Sequence, residues 1–137
     1  MKFLKKILFA VLGIFLFNSC DPFSEAKEKK ISLESQTLYV LSETWGIGGG
    51  HYKICISADK RIDEDDLLFG GDFELLYSIE GDNLIVHLSE ARNIEIPNNL
   101  AHIVILKRYT SIEYIKLLRK SDSIKGLYLY YPFDSDN

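Results

Sequence analysis

The chain has little of what marks a small protein with a readable chemistry. Its 137 residues hold two cysteines, three histidines and one tryptophan. Two cysteines, Cys20 and Cys55, permit at most one disulfide, so no disulfide framework replaces a core. His51, His87 and His102 form no His-x-His or His-Glu-x-x-His spacing, and on one strand His51 and Cys55 would lie about 13 Å apart, too far to ligate one metal. No Gly-x-Ser-x-Gly elbow is present. Neither a metal, a cofactor nor a catalytic residue is implied. The longest apolar run, residues 7 to 17, is well short of the roughly 20 residues of a membrane span.

Charge is present but uneven. The formal net charge is −4, yet Lys2, Lys5 and Lys6 precede Cys20 while all twenty acidic residues follow it. From Cys20 onward, thirteen cations face twenty carboxylates, a balance of −7. Such a surface repels nucleic-acid phosphates and, taken as a whole, anionic lipid.

The first twenty residues carry the most specific signal. Three lysines open the chain, the apolar run follows, and Asn18-Ser19-Cys20 closes the segment. The run is apolar on every side, which excludes an amphipathic core helix and matches the hydrophobic region of an export signal. Ser19-Cys20 resembles the lipobox of bacterial lipoproteins, where a small residue precedes the lipid-bearing cysteine. Phe17 and Asn18 depart from the common pattern and resemble signals of the Bacteroidota. The resemblance implies cleavage before Cys20, acyl lipid on Cys20, and a domain held at the inner or outer membrane, in the periplasm or at the cell surface. It leaves Cys55 as a lone thiol. Residues 1–19 are then a signal helix, residues 20–34 the lipidated cysteine with a polar tether, and residues 35–137 one domain.

That domain reads as mainly β: an antiparallel sheet or open sandwich of about six strands with one short helix in the C-terminal half, an α+β arrangement. Tyr52, Ile54 and Ile56 alternate with Lys53, Cys55 and Ser57. Gly81-Asp82 is a two-residue hairpin signal, and pairing outward from it sets Ile79 opposite Leu84, Tyr77 opposite Val86 and Leu75 opposite Leu88, with Phe73 on the same apolar face. Ile103 to Leu106 is apolar on both faces and predicts a central strand. Thr110-x-x-Glu113 is a capping box, followed by Ile112, Tyr114, Ile115, Leu117 and Leu118 at helical spacing, which predicts a helix over Ser111–Lys120. Residues 125–131 predict a closing strand whose leucines, Leu127 and Leu129, face the core and whose Tyr128 and Tyr130 stand opposite.

Two loops invite chemistry. Gly46, Gly48, Gly49 and Gly50 lack the following helix and the lysine of a phosphate loop and read as a connection between strands. Asp59, Asp63, Glu64, Asp65 and Asp66 lack calcium-loop spacing and read as a solvated acidic loop, as does the Asp134–Asn137 tail. Trp45, Tyr128 and Tyr130 are the candidate partner contacts, because large aromatic side chains give contact area at low entropy cost. The reading is a membrane-anchored binding module of inhibitor, immunity or accessory type, and not an enzyme. A small envelope enzyme or metal-binding protein using His51, His87 or the acidic loop is the alternative, and a passive structural lipoprotein a second.

Overall fold

The computed structural model describes residues 25–46, 51–61, 67–70 and 74–132. The signal segment with Cys20, the glycines 48 to 50, Phe73, Asp63 to Asp66 and the tail from Asp134 lie outside the described residues.

The domain is mixed α+β, with two four-stranded sheets and one helix in its C-terminal half. The first sheet runs β1 (Glu25–Ser32), β2 (Thr37–Trp45), β3 (His51–Ser57) and β4 (Leu67–Gly70) as an antiparallel meander. The second contains β5 (Leu75–Glu80), β6 (Asn83–Ser89), β7 (Val104–Tyr109) and β8 (Leu127–Tyr130) in the order β7-β6-β5-β8. Among the described residues, eight strands therefore replace the expected six. The antiparallel expectation fails at one place, because β6 and β7 pair in parallel.

The added strand at the start is β1, which occupies the segment expected as tether, so the sheet begins at Glu25 and not at Ser35. Its full length pairs with β2, from Glu25 opposite Thr44 to Ser32 opposite Thr37. An edge strand is half solvated and tolerates lysine and glutamate, which also discourage pairing with other chains.

The β5–β6 hairpin has the expected register, with Tyr77 opposite Val86 and Ile79 opposite Leu84. Gly81 has φ 59° and Asp82 an ordinary φ, the pattern of a II′ turn, which only glycine enters without strain. The Asp82 carboxylate accepts from the Ser35 backbone N–H at 2.8 Å and from the Ser35 hydroxyl, tying this turn to the β1–β2 turn of the other sheet. Those two bonds hold the Asp82 carboxyl below its usual range.

The inner faces of the two sheets share one core. Ile31, Leu38, Val40, Ile54, Ile56 and Leu67 come from the first sheet, and Leu75, Tyr77, Leu84, Val86, Leu88 and Val104 from the second. β7 is an edge strand, not a central one, and Ile105 on its outer face is 47% exposed. The crossover from β6 to β7 lies on the inner side: it buries Leu100 and Ile103, and the Arg108 guanidinium donates to the Arg92 and Ile94 carbonyls at 2.5 and 2.8 Å.

The return from β7 to β8 runs the opposite way across the sheet, so the right-handed rule for parallel connections places it on the outer face. It carries α1 (Ser111–Arg119), which packs on β6 and β7. Thr110 and Glu113 close the expected capping box at its start. Tyr114 is the buried residue of the helix, with Leu117 and Leu118 half-buried.

Candidate functional site

Parity along β8 decides the aromatic surface. Register places Tyr130 opposite Leu75 and Tyr128 opposite Tyr77, so both tyrosines share the inner face with the core. This reverses the expected orientation: Tyr130 is buried at 9% exposure, while Leu129, on the outer face, is 37% exposed. A Leu-Tyr alternation does not say which member is inside. Here the tyrosine fits because its hydroxyl finds a partner, Ser42 of β2 at 2.7 Å, across the two sheets. Tyr130 is therefore a core residue and no partner contact.

Around it lies an aromatic edge. Lys29 of β1 points inward between the sheets, with its ammonium 5.8 Å from the Tyr77 ring centre and 5.9 Å from that of Tyr130. Tyr128 stacks on Tyr77 at 5.3 Å and is itself 45% exposed. Burial, and then the Tyr128 phenol, raise the Tyr77 hydroxyl to about 12. Beyond β8, Tyr131 packs edge-on against Tyr52 at 6.1 Å and is 40% exposed. Trp45 ends β2; its ring lies 6.1 Å from that of His51, and it is 41% exposed. Register puts Trp45 on the outer face of its sheet and Tyr128 on the inner face of the other. The two are exposed, but on different faces.

A second constellation crosses β5, β6 and β7 on the outer face of the second sheet. The Ser78 hydroxyl is 2.9 Å from His87 Nε2, and the Tyr109 hydroxyl 2.9 Å from His87 Nδ1. The Tyr109 ring also stacks on the imidazole at 5.7 Å. Both ring nitrogens are thus occupied, and a neutral imidazole donates to one hydroxyl and accepts from the other. Burial lowers the His87 pKa, the Lys107 cation lowers it further, and Glu80 opposes both. The arrangement binds three strands together and keeps the imidazole neutral near pH 7.

The outer face of the first sheet is partly covered by chain following β3. Ser57 donates to the Arg61 carbonyl, and Lys60 reaches Glu28 at 3.2 Å and the Tyr39 ring at 5.5 Å. Cys55, on this face, is fully buried. An open groove of about 490 Å³ runs beside it, lined by Ala26, Glu28, Leu41, Glu43, Lys60 and Arg61. Among the described residues no group of three His, Cys, Asp or Glu side chains converges as a metal site would, and no helix is long and apolar enough to cross a membrane.

Lys29, Ser42, Ser78 and Tyr109 were missed in the sequence. A lysine two residues before Ile31 on a strand shares its face, and that parity was the available signal once the segment is seen as strand. No family model, curated protein or solved structure matches the chain.

Proposed function

We propose that the protein is a binding module held at the cell envelope by lipid on Cys20, with its two sheets forming an open sandwich that presents an aromatic edge. The export signal and the Ser19-Cys20 junction support the anchor. The exposure of Tyr128, on a strand fixed by register, and of Tyr131 just beyond that strand is the observation that favours binding over chemistry. Rigid tyrosines offer a partner large area at small entropy cost. Trp45 is a separate contact on the other sheet. The partner is an envelope protein, and no nucleic acid or cofactor is needed.

The anchor is tested by Cys20→Ala, expected to leave unprocessed precursor without acyl lipid; normal processing of that variant would remove the reading. The contact surface is tested by a photo-crosslinking residue at position 128 or 131 in the envelope. A defined adduct absent at Ser32 on β1 supports it, and equal labelling at all three positions counts against it.

A second reading, a small hydrolase, is favoured by the Ser78–His87 distance alone, which is that of a nucleophile and its base. A fluorophosphonate probe that labelled wild type and spared Ser78→Ala would establish it in place of the first.

A further inference from the structure

The helix carries two apolar stripes, and the core uses only one. At about 100° per residue, Tyr114, Leu117 and Leu118 lie together and face the sheet. Ile112, Ile115, Lys116 and Arg119 stand at the i, i+3, i+4, i+7 spacing on the opposite side. All four are exposed, with Ile112 at 68% and Ile115 at 47%. The cations suit the negative end of the helix dipole, which accounts for Lys116 and Arg119. Nothing among the described residues accounts for two isoleucines one turn apart on the solvent side.

The helix and the turn after it are rich in cations. Residues 111–126 hold Lys116, Arg119, Lys120 and Lys125 against Glu113 and Asp122. The other residues from Cys20 onward hold nine cations against eighteen carboxylates. The strand that α1 packs on continues the pattern, exposing Ile105 and Lys107 on one face.

We propose that the outward face of α1 docks an acidic, apolar-containing segment of a partner protein, with Ile112 and Ile115 as the buried anchors and Lys116 and Arg119 as the pairing cations. This goes beyond the aromatic edge and does not depend on the lipid anchor. A basic amphipathic stripe also suits anionic lipid. The acidic remainder of the domain favours the protein: a charged bilayer repels every carboxylate brought near it, whereas a short segment meets only the stripe within one screening length of about 8 Å.

The test titrates fluorescent peptides into the purified full chain in neutral detergent, where no membrane attachment is required. The probes are an amphipathic helical peptide of leucine and glutamate and its leucine–lysine counterpart. Wild type binds the glutamate peptide. Ile112→Ser with Ile115→Ser, and separately Lys116→Glu with Arg119→Glu, weaken it by about tenfold or more; thermal unfolding of the isoleucine variant stays near that of wild type because both side chains are exposed, and the charge-reversed variant unfolds slightly earlier because it places carboxylates at the negative end of the helix. The charge-reversed variant gains the lysine peptide. The proposal is overturned by equal binding in wild type and variants, or by no binding to either peptide. It is equally overturned if phosphatidylglycerol vesicles, and not the peptide, slow amide exchange over Ser111–Lys120.

Discussion

The hydroxyl of Tyr130 lies 2.7 Å from that of Ser42, a buried bond between residues 88 positions apart that joins the last strand of one sheet to the second strand of the other. Tyr130→Phe leaves the Ser42 hydroxyl without this partner in a dry site. The expected cost is about 1–2 kcal/mol in urea unfolding, and Ser42→Ala added to Tyr130→Phe recovers part of it, because two apolar groups replace a half-satisfied pair.

His87 makes stability depend on mild acid. Its folded pKa lies below the ordinary 6.5 because of burial first, then Lys107. The unfolded chain therefore takes up the proton first. The contribution is whole above the unfolded value and is lost as pH falls through the folded one. Urea midpoints are expected to fall from pH 7.5 to pH 5, with a shallower slope in His87→Gln.

Two tyrosines ionise late. Tyr77 and Tyr114 are each raised from 10.0 to about 12, mainly by burial. For these acids the folded value exceeds the unfolded one, so stability is intact below pH 10 and is lost as pH rises toward 12. Absorbance at alkaline pH is expected to show a late component from Tyr77 and Tyr114 that moves to lower pH in denaturant and is reduced in Tyr77→Phe and in Tyr114→Phe.

The capping box is expected to behave as an ordinary one. Thr110→Ala removes the acceptor for the Glu113 backbone N–H and costs about 1 kcal/mol, read from the urea midpoint. The Glu113 carboxylate, held below its usual range by the Thr110 hydroxyl and backbone N–H, loses those bonds in acid.

Cys55 is expected to resist thiol reagents in the folded protein and react at the rate of unfolding, since it is fully buried. Labelling with an aromatic disulfide, with and without urea, measures it. Fast reaction in buffer would mean that the chain around Lys60 opens.

Where the sequence was legible, one physical signal dominated. The Gly81-Asp82 turn fixed the hairpin because a single register made its inner face apolar, and Thr110 with Glu113 marked a helix start by local hydrogen bonding alone. Where it misled, two signals balanced. Lys27, Lys29 and Lys30 read as a solvated stalk, since charge alone does not separate an edge strand from a linker. Ile103 to Leu106 read as central, yet Ile105 stands on an open edge. Leu127 to Tyr130 alternates two residue types that both pack, and only Ser42, a long way off in sequence, decides that the tyrosine goes inside. The second stripe of α1 was written in the same isoleucines used to infer the helix; without the sheet, nothing said which stripe the core would take.

The placement of β8 has a kinetic consequence. It follows every other described strand in the chain, yet it completes the second sheet against β5 and carries the Tyr130 hydroxyl to β2. Contacts of such sequence separation form slowly and late. A chain that has not yet placed β8 has an unfinished sheet edge and lacks the Ser42–Tyr130 bridge. Commitment to the native state therefore waits for residues 127–130, which keeps the chain threadable until that strand is in place.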